Sequence, residues 1–257
     1  MGLFDKKFCD VCGQKIGLLG NRKLEDGNLC KECAAKLSPW FNERRHSTLE
    51  EIKGQLAYRE ENRAAAAAFH TTRSFGRYTK LLLDEDAGKL TVTSASNLAE
   101  ANPDILSYSQ VTGCDFEIEE DRDELKRTDS DGRSVSYNPP RYEYSYDFYI
   151  TVYVNTPYFD DMRFKLNSSP VKTGERSMGG AAIIKPGMGA VIGAAEYNEC
   201  VKLGNEIKRT LENLRQTARD EAAAAEAPKA KVICPLCGAS TVPDASGCCE
   251  FCGGPVA

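Results

Sequence analysis

The residues with the clearest chemistry are cysteines. Cys9-Asp10-Val11-Cys12 and Cys30-Lys31-Glu32-Cys33 are two Cys-x-x-Cys pairs separated by seventeen residues. Near the other end, Cys234-Pro235-Leu236-Cys237 and Cys249-Glu250-Phe251-Cys252 repeat the arrangement with eleven residues between the pairs. Two sulfurs spaced this way can grip one side of a tetrahedral ion, and two pairs complete the coordination. The spacing predicts two structural Zn2+ ions, one on Cys9, Cys12, Cys30 and Cys33, the other on Cys234, Cys237, Cys249 and Cys252. Cys114, Cys200 and Cys248 fall outside both sets. Only Cys249, not its neighbour Cys248, keeps the spacing to Cys252, so Cys248 is expected to be a spare thiol.

The elements that must position these sulfurs can be read around them. Gly13 after Cys12 suits a tight knuckle, and Lys15 to Leu29 offers two short strands with turns at Gly20-Asn21 and Asp26-Gly27. Helical sequence follows Cys30 and stops at Ser38-Pro39. A knuckle, a hairpin and a ligand pair at a helix start resemble a treble-clef finger, placed at residues 1–38. At the other end both pairs are followed by glycine, and residues 232–257 resemble a small zinc ribbon. Neither module is large enough to hold itself together by apolar burial, so the metal is expected to supply the folding energy.

Residues 39–72 read as a helical connector. Ser47 is expected as its N-cap with Glu50 closing a capping box. Leu49, Ile52 and Leu56 form a narrow apolar stripe, and the five alanines Ala64 to Ala68 suggest a helix that is mostly solvated towards its end. Arg44, Arg45 and His46 read as a solvated charged turn.

From residue 73 the period becomes alternating. A hairpin is expected over 78–93, short strands over 105–108 and 114–118, and a charged excursion over 119–133 with its turn at Asp131-Gly132. In 142–154 the even positions Tyr142, Tyr144, Tyr146, Phe148, Ile150, Val152 and Val154 are all apolar or aromatic, which predicts a long strand with that face buried. Met162, Phe164 and Leu166 alternate on the return strand. The segment 168–195 is rich in Gly, Ser and Ala; its Gly187-Met188-Gly189 run lacks the spacing and the surrounding strand-helix unit of a dinucleotide loop and reads as a mobile insertion. Cys200, Leu203, Ile207, Leu211 and Leu214 then mark one face of a helix, and an Ala-rich linker is expected over 221–231.

The middle, residues 73–220, resembles a pleckstrin-homology-like domain in the order of its elements: antiparallel strands followed by one amphipathic helix that would plug an open barrel. The chain also resembles uncharacterised bacterial proteins that open with the knuckle Cys9-Asp-Val-Cys12-Gly and Leu29-Cys30-Lys-Glu-Cys33. That family implies architecture and no activity. The expected class is thus α+β, built from a finger, a helix, a β-barrel with its C-terminal helix, and a ribbon.

Function is narrowed by composition. No run of apolar residues reaches the length of a bilayer span, and the first residues, Met1-Gly2-Leu3-Phe4-Asp5, form no signal core. Eleven cysteines in such a chain point to a reducing compartment, the cytoplasm. Two histidines, neither beside a nucleophile, and two all-sulfur metal sets argue against an enzyme. The net charge is −5, and no Lys, Arg or His occurs from Val232 to Ala257, which weighs against nucleic acid as the ligand. The expectation is a non-catalytic adaptor for an unknown protein partner. A nucleic-acid-binding ribbon is the first alternative, and lipid headgroup binding by the β-domain at a membrane surface the second.

Overall fold

Short strands and a helix start give the first module its shape. The computed structural model describes residues 7–174, 194–226, 231–244 and 246–256. The chain divides into two units, residues 1–215 and 216–257.

In the first unit, β1 (Lys7–Phe8) pairs antiparallel with β2 (Lys15–Ile16), and β3 (Arg22–Lys23) with β4 (Asn28–Leu29). Helix α1 (Lys31–Ala34) follows directly. Ile16, Leu24, Leu29, Leu37 and the cysteines Cys9, Cys30 and Cys33 form a small core, closed from outside by Ile52 of α2 (Leu49–Ala68). The N-cap of α2 is Thr48, one residue later than Ser47. The Thr48 amide donates to Glu51 Oε2 at 2.7 Å, and the Glu51 amide donates to Thr48 Oγ1 at 3.3 Å. Ser47 is engaged elsewhere: its carbonyl accepts from the Glu25 amide and its hydroxyl donates to the Glu43 carbonyl.

Strands β5 (Arg73–Phe75), β6 (Lys80–Asp84), β7 (Lys89–Thr93) and β8 (Leu106–Ser107) form an antiparallel sheet in that order, with α3 (Leu98–Ala101) between the last two. The second sheet is built on β10 (Ser134–Val154), with β9 (Val111–Thr128) along one side and β11 (Asp161–Lys165) and β12 (Val171–Gly174) along the other. Both sheets face one core. Leu81, Leu83, Leu90 and Leu106 come from the first; Phe148, Ile150, Val152 and Met162 from the second; Ile207 and Leu211 from α4 (Ala194–Glu226). The helix stripe expected from the sequence is the face that packs here.

Two expectations are corrected. The sheets are open rather than closed into a barrel. Closure needs an unbroken hydrogen-bond ladder, but β8 has only two residues and the 3-10 turn Tyr108–Gln110 separates it from β9. The charged excursion 119–133 is mostly strand. β9 runs to Thr128, paired with β10 from Ser134 onwards across an irregularity between Ser136 and Arg141, and the turn is only Asp129 to Arg133. Asp129 Oδ1 accepts from the amides of Asp131 and Arg133, and Gly132 sits at φ +78°, which glycine adopts freely. Because this hairpin projects past the shared core, Tyr142, Tyr144 and Tyr146 are only half-buried, and burial of the even face begins at Phe148. The Gly-rich run 187–193 and Pro228 of the expected linker lie outside the described residues.

The second unit comprises the last turns of α4 from Gln216 and the C-terminal module, in which β13 (Val232–Ile233) pairs with β14 (Ser240–Thr241).

Candidate metal centres

Three of the four Cys-x-x-Cys pairs share one backbone design. In each, the second cysteine is followed by a glycine with positive φ: Gly13 at +71°, Gly238 at +72° and Gly253 at +69°. The amide of that glycine donates to the carbonyl of the first cysteine, Cys9 at 2.8 Å, Cys234 at 2.9 Å and Cys249 at 2.8 Å. The first cysteine's own amide donates five residues ahead, to Gln14, Ala239 and Gly254. The chain thereby curls around both sulfurs, and the left-handed turn is one that L side chains resist. The fourth pair differs because Ala34 replaces glycine. Cys30 is the N-cap of α1, its sulfur accepting from the Cys33 amide at 3.3 Å. One cluster therefore joins a knuckle to a helix start, and the other joins two knuckles.

The structure brings together Cys9, Cys12, Cys30 and Cys33, and separately Cys234, Cys237, Cys249 and Cys252, with all sulfurs of a set within 4.8 Å of one another. Tetrahedral zinc with Zn–S near 2.3 Å sets sulfurs roughly 3.8 Å apart. The separations Cys12–Cys30 at 3.7 Å, Cys234–Cys252 at 3.6 Å and Cys237–Cys249 at 3.7 Å fit that tetrahedron. Each cluster could hold a metal ion, and its donors suit zinc. The ion would supply the positive charge that four converging thiolates require.

The protein prepares that charge in advance. Burial opposes ionisation of Cys9, yet the amides of Cys12, Cys30 and Val11 bring its thiol down to about 6. Cys249 is likewise brought down to about 6, against burial, by the amides of Cys252 and Phe251. The Cys237 amide lowers Cys234. The remaining sulfurs are pushed the other way: burial raises Cys30, and burial with the neighbouring sulfurs raises Cys33. At Cys252 the Gly254 amide favours the thiolate, but the other sulfurs outweigh it and raise the thiol to about 12.

Cys248 lies outside the cluster. Its amide donates to Asp244 Oδ1 at 2.9 Å, and it bridges to Pro255. Cys114 is buried in the sheet core, where burial pushes its thiol up to about 12.

Several supporting residues escape a search for ligands alone. Asp10 Oδ2 accepts from the Asn28 amide at 2.6 Å and ties the first knuckle to β4. Asp244 Oδ1 accepts from Ser246 and Cys248, and Thr241 Oγ1 from the Glu250 amide, bracing the third knuckle. The largest omission is a buried polar bracket between the finger, α2 and the first sheet. Arg59 Nη1 donates to Asp104 Oδ1 at 2.7 Å, and its other nitrogens reach the carbonyls of Asn102 and Lys36. Ser38 donates to Asp104 Oδ2 at 2.8 Å. Asn62 donates to Pro103 and Asn102 and accepts from the Ile105 amide. One face of the later half of α2 is thus docked through Arg59, Asn62 and Ala66, while Ala64, Ala67 and Ala68 remain exposed as its composition suggests.

Residues 7–55 match the family described as Domain of unknown function (DUF4428). The match runs from β1 to the second turn of α2, just past Ile52, which closes the small core around the first cysteine cluster. No curated protein and no solved structure matches the chain.

Proposed function

We propose that this chain is a non-catalytic, zinc-stabilised adaptor that binds another protein through its C-terminal ribbon. The observation that carries this reading is an exposed apolar trio on a module of 26 residues: Ile233, Leu236 and Phe251 are 75%, 68% and 66% exposed. Leu236 and Phe251 hold the same position in the two knuckles, immediately before the second cysteine. In the first knuckle that position is Val11, which packs against the zinc-side core. A knuckle residue that has apolar company at one end of the chain is offered to solvent at the other, and paired apolar exposure of this kind marks binding surfaces.

The chemistry around the trio supports a protein ligand. The only charged side chains of the ribbon are the acidic Asp244 and Glu250, whereas phosphate contacts rely on Lys and Arg. Asp115, Glu117, Glu119, Asp121 and Asp123 alternate along one face of β9, which disfavours anionic headgroups. Four sulfur ligands per ion leave no position for a reacting water.

The test is Leu236→Asp with Phe251→Asp in the full chain, purified with two zinc ions retained. The expected outcome is loss of the proteins that co-purify with the wild type, at unchanged zinc content and unfolding temperature. Co-purification that survives both substitutions, or tight salt-sensitive binding of random DNA, RNA or anionic vesicles by the wild type, would overturn the reading.

A further inference from the structure

We propose that the protein forms a two-fold dimer by antiparallel pairing of β9 from two copies, residues 118–128, centred on Asp123. Among the described residues β9 pairs only with β10, so its other edge carries a row of unused amides and carbonyls. Near its start that strand is flanked by α4. Arg215 Nη1 donates to the Thr112 carbonyl at 2.6 Å, Lys208 Nζ lies 3.6 Å from Asp115 Oδ1, and the Phe116 ring abuts Gly204. At its far end the turn begins at Asp129. The open stretch between these limits is exposed except at half-buried Leu125, and its midpoint is Asp123.

The charges pick the same centre independently. The stretch is acidic at first, Glu119-Glu120-Asp121, and basic later, Lys126-Arg127. Antiparallel pairing about Asp123 sets Glu119 opposite Arg127, Glu120 opposite Lys126 and Arg122 opposite Glu124. Each pair occurs twice, giving six opposite-charge contacts against one like pair, Asp123 with itself. The register can shift only in steps of two, because a one-residue slip would set outward-facing amides against ones already bonded to β10. The two-residue slips set Arg122 or Glu124 against itself. They add the like pairs Asp121–Asp123 and Glu120–Glu124 in the first case and Arg122–Lys126 in the second, and keep one kind of opposite-charge contact each, Glu117–Arg127 or Asp121–Arg127. Directly opposed side chains interact most strongly across strands, and like charges there are destabilising. The edge therefore complements a second copy of itself in one register, and that register is the one the helix and the turn leave open. Arg163 at 2.7 Å from Glu119, and the Tyr142 ring under Arg122 at 4.6 Å, already hold two of the participating side chains.

Sedimentation equilibrium on the zinc-loaded full chain tests this. The wild type should be a dimer. Glu120→Lys and Lys126→Glu, each alone, place like charges opposite one another twice and should weaken the dimer about tenfold or more. The chain carrying both substitutions, and an equimolar mixture of the two single variants, should recover it, because every reversed charge then meets its complement. Asp123→Cys should give a disulfide-linked dimer on mild oxidation, which Glu117→Cys should not; this single change reports the register even if the charge variants fold poorly. A monomeric wild type, a dimer indifferent to both charge variants, no recovery in the mixture, or cross-linking at Glu117→Cys but not at Asp123→Cys would each overturn the proposal.

Discussion

Asp104 is where the finger side of the molecule meets the β-core. It is 1% exposed and holds Arg59, itself 7% exposed, together with Ser38. Removing one partner leaves a buried charge without its counterpart, so Asp104→Ala should cost about 3–5 kcal/mol in denaturant unfolding. Replacing the pair together, Arg59→Met with Asp104→Leu, should cost much less. A second carboxylate gives the fold a pH dependence. The amide of His70 donates to Asp84 at 2.9 Å and that of Ala87 at 3.0 Å, and although burial acts in the opposite direction they hold its pKa below the ordinary 3.8. The folded chain therefore binds fewer protons at this site than the unfolded one. The stabilisation is complete above the ordinary carboxylate range and is lost as pH falls through the depressed value. The stability gap between wild type and Asp84→Asn should shrink as pH is lowered from about 5 towards 3, measured by urea titration at each pH. At this scale the sequence was explicit about ligands and silent about brackets. Cysteine spacing is a local signal, whereas Arg59, Asn62 and Asp104 look like ordinary surface residues until the fold brings them together.

At the scale of elements, α4 was legible because its stripe is apolar, and Ile207 and Leu211 are fully buried as that stripe requires. Gly204 on the same helix was not. A Cβ there would lie 2.3 Å from the Phe116 ring, so the glycine allows helix and sheet to approach. Gly204→Ala should destabilise by about 1–3 kcal/mol through overpacking, less up to about 1 kcal/mol returned by helix propensity, as read from the denaturation midpoint. An unchanged or raised midpoint would mean the ring moves aside freely. The β9–β10 arm was missed for a different reason. Apolar alternation reports a buried face, and from Glu119 to Glu124 both faces of β9 are exposed. There β9 is dressed with charge, as where Arg122 lies over the Tyr142 ring at 4.6 Å, and this strand keeps no hydrophobic period of its own. Barrel closure was over-read because strand order does not report strand length, and β8 is too short to carry a seam.

For the whole molecule, the order of cysteine cluster, helix, strands, helix and second cysteine cluster was visible in the sequence. What it concealed is that α2 makes two attachments at once: Ile52 seals the core around the first cysteine cluster while Arg59 and Asn62 fasten the same helix to the segment 102–105 before β8. The loss of the first metal should therefore be felt in the sheets. Elemental analysis should find two zinc ions per chain, and Cys9→Ser should lower the calorimetric unfolding temperature of the β-core as well as the zinc count. A β-core transition unchanged in that variant would show the helix to be a passive connection.

The two clusters also differ in how openly they present their sulfurs. In the first only Cys12 is exposed; in the second both Cys237 and Cys252 are. Attack by a chelator or peroxide begins at whichever thiolate solvent can reach, and exposed thiolates are oxidised first. The C-terminal ion should then be the more labile, so that a species with one zinc accumulates during a timed chelator challenge followed by native mass spectrometry. Oxidative stress would in that event strip the ribbon of its shape while leaving the rest of the chain assembled, making the apolar trio available only while the surrounding redox conditions permit.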